Sequence, residues 1–243
     1  MSDLVAAEWL KLRTTRLLVG TIPAAVVLSL AAVAGMVMSS HASELETAEG
    51  MQRVFSVAGA GAIVLLVVGV MISAGEYRHG TAADTFLTTP RRGRVVAAKL
   101  IVAGALGAAV GVVTTAVCVV TAALAYRGES ATLKLGASAV RLAIPATAAY
   151  TALFAVIGVA LGSLVRNQVA AVGGALAWVA IVEHTVVNLT PSIGRWLPLG
   201  AGQAILRTPI DGLLTPPAAL AVLTAYAAVA AMIAIRAERN RDA

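Results

Sequence analysis

Few side chains in this sequence have the types and the spacing that chemistry requires. Glu183 and His184 are adjacent ionisable residues late in an apolar run, and an ionisable residue at membrane depth is a candidate functional residue. They do not form the H-E-x-x-H zinc pattern, because their order is reversed and Asn188 stands four residues after His184. Two interpretations stay open: contact with a substrate along a transport path, or a pair near the membrane surface in which His184 bonds Asn188.

The sequence contains no adequate set of residues for catalysis by a metal, a nucleotide or a nucleophilic side chain. Cys118 is the only cysteine and lies in an apolar run, so neither an intramolecular disulfide nor a cysteine-rich metal site can form. We find no convergent Ser/His set and no paired aspartates that would indicate an intramembrane enzyme. The sequence also lacks the G-x-x-x-x-G-K-[ST] loop that cradles nucleotide phosphates. We therefore expect no catalytic residue, no metal site and no cofactor in this chain.

The most informative polar segment is GEYRHGTAADTFLTTPRRGRVVAAK, residues 75–99. An apolar run ends there in four consecutive polar residues, Glu76, Tyr77, Arg78 and His79. Thr81 stands three residues before Asp84, a spacing that resembles a capping box and predicts a short helix over 81–88. That helix would present two apolar side chains, Phe86 and Leu87.

Two interpretations of this segment stay open. A short capped helix with an aromatic tip, held just outside the membrane, would suit docking of another protein. An ordinary loop whose positive charge sets the membrane orientation would have the same composition. In both cases Pro90 ends the predicted helix, and three arginines then anchor the chain at anionic headgroups, namely Arg91, Arg92 and Arg94.

The elements that must position these residues are predicted to be membrane helices. The chain of 243 residues is 59% hydrophobic and 12% charged, with a mean hydropathy of +0.89, whereas soluble domains carry roughly 25% charged residues. Six apolar stretches are each near the roughly 20 residues that cross a bilayer, at 17–38, 54–74, 95–125, 139–162, 169–189 and 213–235. We expect an all-α membrane protein with one membrane domain over residues 1–243.

Residues 1–16 are predicted to form an amphipathic helix that lies on the membrane surface. Apolar and polar side chains recur there at helical spacing on two sides, Leu4, Val5, Trp9 and Leu12 on one and Asp3, Glu8, Lys11 and Arg13 on the other. Tryptophan and basic residues are typical of the membrane surface, so we assign anchoring to Trp9, Lys11 and Arg13. The alternative is a solvated tail.

The basic residues predict the orientation. The net charge of +6 lies between the apolar stretches rather than on one face, which favours a lipid bilayer over nucleic acid as the partner. With the N-terminus inside, twelve of the eighteen lysines and arginines lie on the inner side and six on the outer side. Because cytoplasmic loops carry the excess of such residues, we expect a multi-pass protein of the cell membrane with both termini in the cytoplasm.

The predicted outer side contains an unusual segment at residues 190–212. It holds Trp196, four glycines and three prolines, and it is too apolar for a free loop yet too interrupted for a membrane span. Irregular backbone at membrane depth must be covered by protein. We therefore predict a pair of short interfacial or re-entrant helices before the last apolar stretch.

Two runs of residues resemble a known family. AEWLKLRTTR near the start and ISAGEYRHGTAADTFLTTPRRGRVVAAKL after the second stretch are similar to the permease subunit of an ABC-2 type ATP-binding cassette transporter. The similarity extends over essentially the whole chain, and a glutamate that ends the second stretch before Y-R-x-G-T is its most specific element. The resemblance implies a connecting helix at 3–16, a coupling helix at 81–88 that docks on an ATPase, and re-entrant extracellular helices at 190–212.

The resemblance also implies partners and a mechanism. Two permease subunits, as a homodimer or heterodimer, would work with two separate cytoplasmic ATPases that bind ATP and magnesium. Closure of the ATPases would push the coupling helix and rock the first three stretches, which assigns ATPase coupling to Glu76, Tyr77, Arg78, His79, Thr81, Asp84, Phe86 and Leu87. The expected function is export of an unidentified substrate. Small apolar stretches favour an amphiphilic cargo over a highly charged one, and they equally suit helices that face lipid.

The alternative function is secondary transport driven by an ion gradient. It would require an ion or proton site at mid-membrane, usually an Asp or Glu, and a paired repeat. The apolar stretches contain no clearly central carboxylate and the sequence shows no internal repeat. The ATP-driven exporter also explains the polar segment at residues 75–94, which the alternative leaves without a role.

Overall fold

The computed structural model describes residues 1–15, 17–78, 80–81, 91–128 and 131–240, and every regular element in those ranges is helical. Six helices in them are long and apolar enough to cross a membrane. They are span 1 at Leu17–Met38, span 2 at Ala48–Arg78, span 3 at Arg92–Gly128, span 4 at Ser138–Val165, span 5 at Gln168–Leu189 and span 6 at Pro216–Arg239. The predicted all-α class with six candidate spans is confirmed.

Two spans show how local sequence sets the helix ends. Span 2 begins at Ala48, ahead of the predicted residue 54, because the Thr47 hydroxyl caps it by accepting a hydrogen bond from the Gly50 N–H. Span 6 begins at Pro216, after the predicted residue 213. Proline suits the first turn of a helix, since its missing N–H would have no partner there.

Four shorter helices complete the described part of the chain. The N-terminal helix is Ser2–Thr14, and a single turn at Ala42–Leu45 follows span 1. Helices Pro191–Gly194 and Pro198–Ile205 lie between spans 5 and 6. The predicted helix at 81–88 lies outside the described residues except for Thr81, and so do four of the predicted coupling residues, His79, Asp84, Phe86 and Leu87.

Glycines bring span 4 close to spans 2 and 3. A Cβ on Gly158 would overlap the Leu66 carbonyl oxygen of span 2, and a Cβ on Gly107 would lie 2.7 Å from the Thr151 carbonyl oxygen. The Thr151 hydroxyl also donates a hydrogen bond of 2.8 Å to the Gly107 carbonyl. Small residues and interhelical hydrogen bonds of this kind are what hold membrane helices together.

The spans differ in how much of their surface is covered. The most apolar window of span 2 is 67% buried, whereas the corresponding windows of spans 1, 5 and 6 are only 17%, 22% and 22% buried. Spans 2 and 4 therefore form the centre of the bundle. Large apolar side chains are exposed on all three of these spans, for example Val19, Ile181 and Val229, as surfaces facing lipid require.

Candidate functional site

Four charged side chains form a closed ring of ion pairs at the end of span 2. The Lys11 ammonium lies 2.8 Å from a Glu8 carboxylate oxygen and 2.9 Å from a Glu76 oxygen. The Lys99 ammonium lies 2.9 Å from the other Glu8 oxygen and 2.7 Å from the same Glu76 oxygen. Each lysine thus contacts both glutamates. We call Glu8, Lys11, Glu76 and Lys99 the ion-pair ring.

The ion-pair ring joins three separate elements. Glu8 and Lys11 lie three residues apart on the N-terminal helix, Glu76 is in the last turn of span 2, and Lys99 is in the first part of span 3. Leu12, one turn beyond Glu8 on the same face of the N-terminal helix, packs into the core formed with spans 2 and 3. The N-terminal helix is therefore held to the bundle by both a packed side chain and ion pairs.

Because Glu8 and Lys99 are buried, the ion-pair ring is sensitive to the loss of any one of its members. The side chains of Lys99 and Glu8 are 4% and 7% exposed, and taking such charges out of water costs several kcal/mol for each ion. Their opposite neighbours offset that cost, so the loss of a single member would leave an uncompensated buried charge. A closed set of this kind holds its three elements in one arrangement.

Lys11 is the most exposed member of the ion-pair ring. Partial burial acts to lower the pKa of Lys11, but hydrogen bonds and charge interactions with Glu8 and Glu76 outweigh it and hold that pKa above its usual value of 10.5. A raised pKa means that the stabilisation is fully present below pH 10.5 and is lost as the pH rises through the folded-state value. The ammonium group of Lys11 is therefore charged throughout the physiological range.

The next residue along span 2 belongs to a second cluster. The Tyr77 hydroxyl donates a hydrogen bond of 2.8 Å to Glu238, and the Arg166 guanidinium lies 2.8 Å from both Glu238 carboxylate oxygens. The guanidinium also sits over the Tyr77 ring, 4.9 Å from its centroid. We call Tyr77, Arg166 and Glu238 the tyrosine cluster, and it joins the ends of spans 2, 4 and 6.

Arg166 adopts an unusual backbone conformation to reach this position. It ends span 4 with φ at +55°, in the left-handed region that residues other than glycine seldom occupy. Such a conformation costs roughly 1–2 kcal/mol. The two contacts with the fully buried Glu238 carboxylate and the stacking on Tyr77 are interactions that offset this cost.

The two clusters bring both chain ends to the same end of the bundle. Glu76 binds the N-terminal helix, and Tyr77 binds Glu238 near the end of span 6. We call this the terminal end, and the opposite end, with helices Pro191–Gly194 and Pro198–Ile205, the short-helix end. The terminal end also has a cleft of about 600 Å³ beside the ion-pair ring, and Thr81 lines it.

Glu183 lies towards the short-helix end, in a π-helical turn at Trp178–Glu183. Its side chain is buried, and one carboxylate oxygen accepts a hydrogen bond from the Leu199 N–H. Leu199 is in the first turn of helix Pro198–Ile205, where backbone N–H groups have no partner within the helix. Glu183 therefore caps that short helix from a neighbouring span.

His184 differs from Glu183 although the two are adjacent. His184 is exposed, whereas Glu183 is 1% exposed, as expected for residues about 100° apart on a helix. The Asn188 side-chain amide donates a hydrogen bond of 2.7 Å to the main-chain oxygen of His184. The expected bond between these residues thus uses the backbone of His184 and not its imidazole.

The comparison with protein families bears directly on this arrangement. Residues 4–182 match the family model described as ABC-2 family transporter protein, which is well over half of the chain. The chain belongs to the ABC-2 transporter family. The resemblance inferred from the sequence is thereby confirmed. No curated protein matches the chain.

Membership of the ABC-2 family fixes the broad class of this protein. It is an ABC-type permease, a multi-pass membrane protein and a transport subunit rather than a catalytic protein. Permeases of this family generally work with a cytoplasmic ABC ATPase. The matched residues 4–182 include nearly all of the N-terminal helix, all four members of the ion-pair ring, and most of span 5.

The predicted site residues of this ABC-2 permease fall into two groups at the terminal end. Glu76 and Tyr77 are partly buried and bond other side chains of the same chain. The exposed group consists of Trp9, Arg13, Arg78, Arg91 and Arg94, while Arg92 and Lys11 are intermediate. Among the described predicted site residues, this second group and the exposed Thr81 present side chains that a membrane surface or a partner protein can reach.

Sequence analysis missed four partners in the two clusters. Glu8 was placed on the polar side of the N-terminal helix, but the structure buries it between two lysines. Sequence reasoning counted Lys99 and Arg166 only among the basic residues of the inner side. It left Glu238 in the tail after the last predicted stretch. The sequence could have indicated a partner for Lys99, because this lysine lies inside the predicted stretch 95–125. A charged residue within an apolar run usually has a partner or a function.

Proposed function

We propose that this ABC-2 permease is the membrane-spanning subunit of an ATP-driven exporter and that force from a separate cytoplasmic ATPase enters it through residues 81–88. The ion-pair ring carries this proposal. Its member Glu76 lies only five residues before Thr81, so a displacement of that segment acts directly on the end of span 2. ATP and magnesium bind to the ATPase partner, not to this chain.

The first step of the mechanism is movement of three elements as one body. When the ATPases close, they push segment 81–88, and the end of span 2 moves with it. Glu76 then carries Lys99 of span 3 together with Glu8 and Lys11 of the N-terminal helix, because each lysine pairs with both glutamates. In this proposal the N-terminal helix is the connecting helix, anchored on the cytoplasmic membrane surface by Trp9 and Arg13.

The second step is transmission to the rest of the bundle. Tyr77 moves together with Glu76 and passes the displacement to spans 4 and 6 through the tyrosine cluster. The glycine contact between Gly158 and Leu66 keeps spans 2 and 4 together along their length. The bundle then rocks against a second permease, which is an identical or a related copy, and opens the transport path to the other side.

The proposal also fixes the orientation. The terminal end faces the cytoplasm, in agreement with the excess of arginine and lysine on that side. Helices Pro191–Gly194 and Pro198–Ile205 are then the re-entrant extracellular pair. The hydrogen bond from Leu199 to Glu183 supports this placement, because it satisfies a backbone group at a helix end that would otherwise lie unpaired in an apolar setting.

Isolation of the permease from its native membrane tests the proposal. A tagged wild-type chain is expected to copurify with an ATPase that carries a phosphate loop. Phe86→Ala should lose most of that ATPase while it reaches the membrane in normal amount, because it removes the apolar anchor of the docking segment. Leu135→Ala, an exposed residue between spans 3 and 4, is the matched control. Equal recovery of the ATPase with all three chains would exclude the docking role.

Secondary transport remains the competing function, and Glu183 is the observation that favours it. A buried carboxylate within a membrane span is the kind of residue that an ion-driven transporter uses. The purified permease in vesicles without any ATPase distinguishes the two functions. Accumulation of cargo under an imposed ion gradient would support secondary transport, whereas transport that requires the ATPase and ATP would exclude it.

A further inference from the structure

A groove of about 390 Å³ lies between spans 2, 4, 5 and 6, separate from the cleft at the terminal end. Its walls are largely apolar, with side chains such as Leu66, Phe154, Leu161 and Val179. Glu183 is the one charged residue among the described residues that line it. A cavity with apolar walls and a small number of polar groups is typical of small-molecule sites.

Glu183 has no cationic partner in the described part of the chain. The ion pairs among the described residues involve other acids, and the groups that bond Glu183, the Leu199 N–H and the Trp178 side chain, are neutral. The other acids that are equally buried do have cations, since Glu8 pairs with two lysines and Glu238 with Arg166. A buried carboxylate without a countercharge is unfavourable in an apolar setting, and a bound cation would remove that cost.

Aromatic side chains accompany the carboxylate. Trp178 and Tyr226 line the same groove and are 51% and 42% exposed, so their rings are accessible to a ligand. The π-helical turn at Trp178–Glu183 brings Trp178 and Glu183 to one groove although they are five residues apart, and turns of this kind often occur at functional sites. Aromatic faces attract organic cations, most strongly where water is excluded.

We propose that this groove binds a lipophilic organic cation, a protonated amine or a quaternary onium ion with apolar substituents, whose charge lies against Glu183 and whose substituents lie against Trp178 and Tyr226. This names the chemical class of cargo for the export function proposed above and rests on it in that respect. Binding itself requires only the permease, so the groove can be tested without an ATPase.

A pair of ions with the same shape and opposite charge tests the proposal. The full chain in lipid nanodiscs is titrated with tetraphenylphosphonium and, separately, with tetraphenylborate, and binding is measured above that of empty nanodiscs. The wild type should bind the phosphonium ion more tightly than the borate ion. Glu183→Gln should bind the phosphonium ion about tenfold more weakly or worse, because the amide oxygen still accepts the Leu199 N–H while the charge is gone.

Two further variants complete the experiment. Glu49→Gln removes an exposed glutamate at the same end of the bundle, and it should bind both ions as the wild type does. Trp178→Leu should weaken binding of the phosphonium ion without any change of charge, and it decides the matter if Glu183→Gln does not fold. Equal binding of the two ions by the wild type, or unchanged phosphonium binding in both groove variants, would overturn the proposal.

The two proposals can fail independently. If the groove binds the phosphonium ion but no ATPase copurifies with the permease, the coupling proposal fails and the groove stands. If the ATPase copurifies but the groove does not discriminate between the two ions, the cargo class is wrong and the coupling proposal stands.

Discussion

The two ends of this permease treat buried acids in opposite ways. At the terminal end, Glu8 and Glu238 are buried with lysine or arginine in direct contact. Towards the short-helix end, Glu183 is just as buried but is bonded by neutral groups, the Leu199 N–H and the Trp178 side chain. Paired charges hold elements in one arrangement, which suits the force transmission proposed for the terminal end. A carboxylate without a countercharge suits the cation binding proposed for the groove.

The largest expected effect comes from opening the ion-pair ring. Lys99→Met removes the most buried cation and leaves two carboxylates with Lys11 as their shared partner. We expect a loss of about 3–5 kcal/mol in the free energy of unfolding, the usual cost of an uncompensated buried charge. Chemical unfolding in detergent micelles measures it.

Two further variants serve as controls for this prediction. Lys134→Met removes an exposed lysine between spans 3 and 4 and should change stability by less than about 0.5 kcal/mol. The double variant Glu8→Gln with Lys99→Met restores the charge balance and should recover much of the loss. If Lys99→Met is as stable as Lys134→Met, the ion-pair ring does not hold the three elements together.

The next largest effect is expected at the close contact between spans 2 and 4. Gly158→Ala places a Cβ against the Leu66 carbonyl oxygen, which is backbone and cannot move aside without separating spans 2 and 4. We expect a destabilisation of about 1–3 kcal/mol from overpacking. Gly173→Ala is the matched control, because nothing lies within 4 Å of its added Cβ. Equal stability of the two variants would show that spans 2 and 4 are not in close contact.

A smaller effect is expected in the tyrosine cluster. Tyr77→Phe deletes the hydrogen bond to Glu238 but leaves Arg166 in contact with both carboxylate oxygens. Because the charge stays paired, the loss of unfolding free energy should be only about 1–2 kcal/mol. Tyr226→Phe, with its partly exposed hydroxyl-bearing ring, should leave stability unchanged in the same unfolding assay. A loss as large as that of Lys99→Met would mean that the tyrosine cluster, and not the ion-pair ring, is the stronger joint.

The comparison of the two ends also shows what sequence patterns can predict. The six spans followed from apolar stretches of the required length, and the family followed from the residues around Glu76. These features depend on neighbours along the chain. Glu183 was recognised for the same reason, since a charged residue within an apolar stretch is visible in the sequence alone.

The pairings within the two clusters could not be predicted, because they join residues far apart in the chain. Glu8 and Lys99 are 91 residues apart, and Tyr77 and Glu238 are 161 residues apart. Helical spacing placed Glu8 on the polar side of its helix, and only the arrival of span 3 with Lys99 turns that position into an interior one. The groove around Glu183 likewise depends on how four spans pack.

The smallest effect is expected at an exposed acid of the short-helix end. Glu46 accepts hydrogen bonds of 3.0 Å from the Thr132 N–H and from the Thr132 hydroxyl, which links the loops after spans 1 and 3. The main-chain bond first, and then the hydroxyl bond, hold the pKa of Glu46 below its usual value of 4.5. A lowered pKa means that this link is fully formed above pH 4.5 and is lost as the pH falls through the folded-state value.

The NMR signal of the Thr132 amide in micelles should therefore titrate below pH 4.5, and Glu46→Gln should abolish that titration. The temperature of unfolding should scarcely change in the variant, because water solvates both groups well once they separate. A midpoint at or above 4.5 would contradict the link. A large fall in the unfolding temperature would contradict the contrast between the two ends, since it would mean that an exposed contact at the short-helix end stabilises the permease as strongly as the buried pairs of the terminal end.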